Sequence, residues 1–308
     1  MTTLLFTHPA CIGHDPGAYH PERPERLRAV LAALEESAFD QLERIAAPRA
    51  EDAQLRRAHP ASYVKDVLGA IPTEGQAELD GDTSVSPGSG EAALRAAGAV
   101  VAAVDAVMTG RAKNAFCAVR PPGHHAEAGQ AMGFCLFNNV AIGALHARAA
   151  HGAARVAVVD FDVHHGNGTQ HMFERDKSLF YASTHQWPLY PGTGAPEERG
   201  VGNVVNVALR SHSGGLEFRH GFERQMLPAL DAYKPDCQLI SGGFDALAAD
   251  PLASIQLHED DFAWVTAALA EVAGTHAKGR IVSVLEGGYD LAALGASAAA
   301  HVKALMAV

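Results

Sequence analysis

The sequence predicts an α/β fold, in which helices cover both faces of a central, mostly parallel sheet. Short apolar and β-branched segments alternate with longer helix-like segments along most of the 308 residues. The strand candidates are continuous apolar runs, which is typical of parallel strands buried on both faces. Clusters of polar residues and glycines directly follow four of these runs, as expected where a site lies beyond the carboxyl ends of parallel strands.

The individual elements follow from the same pattern. The strand candidates are residues 115–119, 155–160, 178–183, 203–209, 237–241 and 280–286. The helix candidates are residues 22–36, 90–108, 136–150, 215–232, 259–277 and 291–305. Pro24 falls in the first turn of its helix, where proline is tolerated because the missing N–H has no helical partner. No repeat or long linker divides the chain, so we expect one domain over residues 1–308.

Composition excludes several classes of protein. A hydrophobic content of 48% is that of a globular chain, and a net charge of −11 argues against a nucleic-acid-binding surface. No apolar run approaches the ~20 residues that span a bilayer, so we expect a cytoplasmic protein with no membrane contact. The four cysteines form no Cys-x-x-Cys pair, and we expect Cys117 and Cys237 to be buried free thiols. Oligomeric state is not predicted.

A candidate metal site follows the second predicted strand. Asp160, Asp162 and His164 alternate with apolar residues, so their side chains share one face. Burying two carboxylates and an imidazole together is costly unless a cation compensates, and mixed nitrogen and oxygen ligands suit zinc or another first-row ion. Asp245, after another strand, would complete the site. The alternatives are a solvated turn with hydrogen-bonded carboxylates and an ordinary aspartate in a glycine-rich turn.

Two adjacent imidazoles follow the first predicted strand of this group. His124 and His125 suit general acid–base work because imidazole titrates near neutral pH. Asp160 and Asn167 are candidates to hold the far ring nitrogens and fix the tautomers. A pair of surface histidines, or a pair of metal ligands, is the alternative.

Aromatic residues beside mobile glycines follow other strands. The hydroxyl of Tyr289, after Gly287, is placed to donate to the oxyanion that forms when water attacks a carbonyl. Phe134, after Gly133, and Tyr190 are candidates to wall a narrow slot. Simple packing of these aromatic rings is the alternative.

Six segments together resemble the histone deacetylase family, above all its class II-like members and the bacterial histone deacetylase-like amidohydrolases. They are His-Pro-Glu-Arg-Pro (20–24), Arg-Pro-Pro-Gly-His-His-Ala (120–126), Gly-Phe-Cys-Leu-Phe-Asn-Asn (133–139), Asp-Phe-Asp-Val-His-His-Gly-Asn-Gly-Thr (160–169), Gly-Phe-Asp-Ala (243–246) and Leu-Glu-Gly-Gly-Tyr (285–289). The resemblance implies the three-layer arginase/deacetylase fold, with a mostly parallel sheet of about eight strands.

The resemblance also implies a role for each site residue. One Zn²⁺ per chain would be held by three ligands, Asp162, His164 and Asp245. The implied catalytic residues are His125 as general base and later acid, His124 as its electrostatic partner oriented by Asp160, Asn167 beside His125, and Tyr289 polarising the amide carbonyl. The implied substrate-binding residues are Gly133, Phe134, Tyr190, Leu252, Gly287, the rim residue Asp82 and the inner-channel residue Arg26. A possible K⁺ would bind through Asp160, Asp162, His164, Ser183 and Thr184.

Three positions refine the expected function. Asn167 stands where class I members carry aspartate, so His125 should stay neutral and basic at rest. Tyr289 is retained, which predicts real turnover. Leu252 stands where polyamine-selective relatives place a glutamate, so we expect acetyl-lysine in a peptide or protein to be preferred over an acetylated small amine such as an acetylpolyamine.

Two other functions remain open. A two-manganese ureohydrolase of the arginase type shares the fold but needs a further aspartate, where this chain has Leu247. A sensor that binds acyl-amines without turnover would be expected to lose Tyr289 or one of the two histidines, and all three are present. The native metal, zinc or else iron or cobalt, is not predicted.

Overall fold

One eight-stranded sheet forms the centre of the computed structural model, which describes residues 2–308. The strands are β1 (Leu4–Thr7), β2 (Glu43–Ala46), β3 (Ala77–Asp80), β4 (Thr83–Val85), β5 (Asn114–Cys117), β6 (Val156–Asp160), β7 (Leu179–Gln186), β8 (Val204–Leu209), β9 (Cys237–Gly242) and β10 (Ile281–Leu285). Eight of them form the sheet in the order β2-β1-β5-β10-β9-β6-β7-β8. Every neighbouring pair in that sheet is parallel. The predicted fold class is confirmed.

Helices cover this sheet in two packed groups. They are α1 (Pro24–Ala33), α2 (Asp52–Leu55), α3 (Ala61–Gly69), α4 (Ser89–Met108), α5 (Asn139–His151), α6 (Asn167–Phe173), α7 (Gly215–Gly221), α8 (Leu227–Tyr233), α9 (Glu259–His276) and α10 (Leu291–Met306). Helix α4 packs on α5, while α1 and α9 both pack on α10. Strands β5, β6, β9 and β10 are buried at every residue, which explains why they read as continuous apolar runs.

The predicted helix over residues 215–232 is interrupted. Residues Phe222–Met226 form a π-helical segment between α7 and α8, in which the N–H of Leu227 bonds to the carbonyl of Phe222. Pro228 follows at once; its ring has no N–H to donate and crowds the carbonyl four residues earlier. A widened turn accommodates the proline without ending the helix.

Several elements near the amino terminus were not predicted. Strand β1 has only four residues, and β2 begins with the exposed residues Glu43 and Arg44, so neither shows a long apolar run. Strands β3 and β4 form a separate antiparallel hairpin with an irregular register. Tertiary pairing, and not local pattern, creates these strands.

The cysteine prediction is confirmed, since all four cysteines, including Cys117 and Cys237, are buried and free. Among the helices of residues 2–308, none combines the length and the apolar character required to cross a lipid bilayer.

Candidate active site

Four neighbouring strands at the middle of the sheet carry the candidate site. They lie side by side in the order β5, β10, β9 and β6. A polar segment follows the carboxyl end of each strand; in the same order, the segments are residues 120–125, 286–289, 243–245 and 160–167. Because parallel strands end at one edge of a sheet, side chains that are far apart in sequence meet there.

Asp162, His164 and Asp245 converge at the floor of the site. One donor atom from each lies within 4.8 Å of the other two, and all three residues are buried. His164 Nδ1 is 3.2 Å from Asp162 Oδ1 and 3.1 Å from Asp245 Oδ2. We call these three residues the metal-ligand cluster, because two carboxylates and one imidazole match the donor set of a first-row metal ion.

The surroundings of the metal-ligand cluster also fit a cation. Burial and the negative charge of Asp162 together raise the pKa of Asp245 to about 7; a bound cation would remove both penalties. The N–H of Gly287 donates to Asp162 Oδ2 over 2.8 Å, and the N–H of Val163 donates to Asp245 Oδ1 over 2.9 Å. A Cβ atom on Gly243 would lie 2.0 Å from Asp162 Oδ2, and one on Gly287 would lie 2.1 Å from Asp245 Oδ2. The backbone therefore approaches the carboxylates as closely as glycine permits.

His124 is held by a carboxylate. Its Nδ1 lies 3.0 Å from Asp160 Oδ2, which also accepts the hydroxyl of Tyr181 over 3.0 Å. Burial lowers the pKa of His124, but the charges of Asp160 and Asp162 outweigh it and raise the pKa to about 10. The carboxylate neighbours therefore favour the protonated form of His124, which would balance the negative charge of the floor.

The buried Glu286 supports the same loop and was not singled out from the sequence. Its Oε2 accepts the N–H of Gly123 over 2.6 Å and that of His124 over 3.2 Å. Burial raises the pKa of Glu286 to about 7. The sequence feature that could have predicted this role is an acidic residue directly after an otherwise apolar strand.

His125 is held by an amide instead of a carboxylate. Its Nδ1 lies 2.9 Å from Asn167 Oδ1, while Asn167 Nδ2 donates to Glu127. Because Glu127 accepts the amide N–H, the amide oxygen faces the imidazole, so Nδ1 carries the proton and Nε2 is free. Burial lowers the pKa of His125 well below its usual value, and the charges of His124 and His164 lower it further. This agrees with the neutral imidazole that Asn167 predicts.

Tyr289 lies between the pocket and a buried arginine. The guanidinium carbon of Arg26 is 4.9 Å from the centroid of the Tyr289 ring, and Arg26 donates to the carbonyls of Gly288 and Glu286. Arg26 also pairs with Glu22 and is fully buried. Arg26 supports the loop behind Tyr289 and does not line the main pocket; its expected place in an inner channel stays a prediction.

A pocket of about 220 Å³ leads from the surface down to this floor. It is lined by Asp82, His125, Gly133, Phe134, His164, Leu189, Tyr190, Leu252 and Tyr289. Five of the seven predicted substrate-binding residues are among them. Gly287 lies beneath the pocket against the metal-ligand cluster. Leu189 was missed, although it precedes Tyr190 in the same loop.

Two of the residues proposed for potassium, Ser183 and Thr184, lie on the next strand, β7, whereas Asp162 and His164 belong to the metal-ligand cluster itself. Asp160 and Ser183 are paired neighbours on β6 and β7. The Ser183 hydroxyl bonds to His185 Nδ1 over 2.9 Å, whereas the buried Thr184 Oγ1 has no hydrogen-bond partner. Potassium binding stays a prediction.

A second group of possible ligands lies between α4 and α5. Asp105 Oδ1 is 2.7 Å from His146 Nε2 and 2.6 Å from His151 Nε2. Arg57 donates to His146 Nδ1 over 2.6 Å, which leaves the ring proton on Nε2, facing Asp105. A protonated nitrogen does not ligate a metal, so this group is a closed hydrogen-bond network.

Comparison with known proteins agrees with this geometry. The protein-family model of the histone deacetylase domain matches residues 20–305 of this chain. The histone deacetylase-like amidohydrolase of Pseudomonas aeruginosa is 43% identical over 287 residues, which cover 92% of this chain and 74% of the relative. The human polyamine deacetylase HDAC10 is 36% identical over 321 residues, which cover 99% of this chain but 46% of that protein.

A solved structure has the same fold as this chain. The crystal structure of the HDA15 HD domain superposes with a TM-score of 0.93 at 36% identity and covers 99% of this chain and 88% of that one. With the match spanning nearly every element described above, this chain belongs to the histone deacetylase family of deacetylases and amidohydrolases.

Proposed function

We propose that residues 1–308 form one zinc-dependent catalytic domain that hydrolyses the amide bond of N-acetylated amines, mainly acetyl-lysine side chains. The observation that carries this proposal is a convergence at the floor of one pocket. The metal-ligand cluster, a neutral imidazole and a half-buried phenol all meet there. These are the groups that activation of water and stabilisation of a tetrahedral oxyanion require.

The metal would be held by Asp162, His164 and Asp245. When bound, zinc supplies Lewis acidity to the attacking water and to the substrate carbonyl. Iron or cobalt fits the same donor set, and metal analysis distinguishes them.

The protein's own residues move the protons. His125 Nε2 takes the proton of the attacking water, since Asn167 holds the proton on Nδ1. The phenol of Tyr289 donates a hydrogen bond to the carbonyl oxygen as its negative charge develops; burial raises the pKa of Tyr289 well above its usual value, so the donor keeps its proton. His125 then protonates the departing amine, which breaks the C–N bond and yields acetate. His124 contributes its positive charge throughout.

The mouth of the pocket favours acetyl-lysine over acetylpolyamines. Leu252 lines the mouth with 36% of its surface exposed. An apolar side chain gives a distant ammonium group no partner, whereas a lysine side chain within a peptide has no such group to satisfy. The second candidate, an acetylpolyamine deacetylase, is supported by the similarity to human HDAC10.

A side-by-side assay tests both candidates. Acetate release would be measured from an acetyl-lysine peptide, acetylspermidine and acetylputrescine, with zinc-loaded protein and with the metal removed by chelation. We expect faster cleavage of the peptide and loss of activity without metal. A polyamine preference above about 10-fold, or ~1.4 kcal/mol in transition-state binding, would overturn the argument from Leu252.

A further inference from the structure

The phenol of Tyr289 follows a segment that contains two consecutive glycines. Gly288 has a φ of 125°, a backbone angle that glycine adopts easily and other residues rarely. Arg26 donates to the carbonyls of Gly288 and Glu286 in this segment. A hydrogen-bond donor serves catalysis only when it is held within about 0.5 Å of its working position. The contacts that fix the backbone of Tyr289 itself therefore bear on the reaction.

Asp250 binds this backbone. Its Oδ2 accepts the N–H of Tyr289 over 2.7 Å, although 39 residues separate the two in sequence. Its Oδ1 accepts the N–H of Leu252 over 3.0 Å, across Pro251, which has no N–H of its own. Each oxygen of the carboxylate thus has one protein donor. Asp250 is 7% exposed, so water competes little for either bond.

The segment that carries Asp250 is itself anchored. It follows Asp245 after strand β9, and the N–H of Asp250 donates to the carbonyl of Leu247 over 3.0 Å. Leu247 pairs with Leu257 in an isolated bridge, and the N–H of Ala248 donates to the carbonyl of Leu257 over 3.0 Å. Because the turn is fixed in this way, the carboxylate of Asp250 can fix the position of Tyr289 in turn.

A local turn explains only half of this arrangement. An aspartate side chain that accepts the N–H two residues later is common, and asparagine does the same. The bond to Tyr289 is not part of that turn, since it joins the segments that follow two neighbouring strands, β9 and β10. Asp250 does not line the pocket, so any effect on the reaction must pass through another residue.

We propose that Asp250 is a positioning residue, which binds the backbone of Tyr289 and so keeps the phenol in place for the oxyanion. The inference rests on the proposed deacylase function and deepens it. With Arg26 on the carbonyls and Asp250 on the N–H, both kinds of backbone group in the segment are bound. Loss of Asp250 should lower turnover more than substrate binding, because the oxyanion forms only in the transition state.

Two variants separate Asp250 from Tyr289 and spare the local turn. In Asp250→Asn, the amide oxygen can keep the bond to Leu252, while the NH2 group faces the N–H of Tyr289. In Asp250→Ser, the hydroxyl can serve the turn but is too short to reach Tyr289. We expect kcat on the acetyl-lysine peptide to fall about 10-fold in both, with KM changed less than about 2-fold. Asp260→Asn, at an exposed position of α9, is the matched control and should keep the wild-type kcat.

A double-mutant cycle shows whether Asp250 acts through Tyr289. In the Tyr289→Phe background the hydroxyl is already absent, so Asp250→Asn and Asp250→Ser should lower kcat by less than about 2-fold. A general structural role would lower kcat by the same factor in both backgrounds. An equal decrease in both backgrounds, or no decrease in either, would overturn the proposal.

Amide hydrogen exchange separates this proposal from the proposed function, because it needs neither substrate nor turnover. In zinc-loaded protein, we expect the peptide that contains residues 286–290 to exchange about 10-fold faster in Asp250→Asn and Asp250→Ser than in the wild type. Asp260→Asn should leave this exchange unchanged. Unchanged exchange in both Asp250 variants would overturn the proposal even if the protein is a deacylase. Faster exchange in these variants, with a wild-type protein that hydrolyses no acetylated amine, would reject the deacylase function and retain the bond between Asp250 and Tyr289.

Discussion

The floor and the mouth of the pocket are built in opposite ways. At the floor, charged groups such as Asp160, Asp162 and Asp245 are fully or almost fully buried and are held by backbone N–H groups at the ends of parallel strands. At the mouth, Leu252 and Tyr190 are 36% and 39% exposed and lie in connecting loops. Strand ends are rigid and loops tolerate change, so we expect the residues at the strand ends to carry the chemistry and the loops to select the substrate.

Removing a ligand from the floor should have the largest effect. Asp245→Asn replaces the carboxylate of one of the three metal-ligand residues with an amide. We expect the metal to be lost and the activity to fall by at least ~10³-fold. Metal content by elemental analysis and acetate release would be measured together. Asp66→Asn, on the exposed face of α3, is the control and should keep one metal ion per chain.

The wild-type metal count is itself informative. One transition metal ion per chain is expected, and two would favour the arginase-type dinuclear site instead. A second ion that is lost in His151→Gln would be bound by the network between α4 and α5. That result would contradict the conclusion that this network does not bind a metal.

Loss of the phenol at the floor ranks second. In Tyr289→Phe, we expect kcat to fall by ~10²-fold or more while metal content stays at the wild-type level, because the oxyanion loses a positioned donor. Steady-state kinetics on the acetyl-lysine peptide give the value. A decrease of less than about 10-fold would remove Tyr289 from the proposed mechanism.

A change at the mouth should alter selection without altering the chemistry. Leu252→Glu places a carboxylate where a distal ammonium would lie, and we expect the ratio of kcat/KM for acetylspermidine over the peptide to rise by about 10-fold. Leu252→Gln matches the size without the charge and should leave the ratio near that of the wild type. An equal rise in both variants would mean that size, and not charge, controls entry.

The smallest expected effect concerns the partner of His125. Asn167→Asp replaces the amide with a carboxylate, which favours the imidazolium and raises the pKa of His125. The base must be neutral to accept a proton, so activity is present above that pKa and is lost as pH falls through it. We expect the acid limb of the kcat/KM profile to move about one pH unit higher, with the plateau changed only a few-fold. An unmoved limb would show that another group sets it.

The residues that line the site could be predicted from the sequence better than the residues that support them, for a physical reason. Asp162 and His124 follow strands that are buried at every residue and read as apolar runs in the sequence, and parallel strands bring such residues together. Thr83 and Glu127 act through contacts with Phe134 and Asn167 that no local pattern records. The β3–β4 hairpin is short and irregular, and its position depends on the residues it holds.

Gly243 and Gly287 have a consequence for how this enzyme can vary. Neither carries a functional group, yet any side chain at either position would enter the space of the ligand carboxylates. A mutational scan should therefore find both as intolerant as the ligands themselves, while the inactive variants remain folded and abundant. Inactivating changes at these positions would be misread as damage to protein stability, and libraries meant to diversify the pocket should leave both codons fixed.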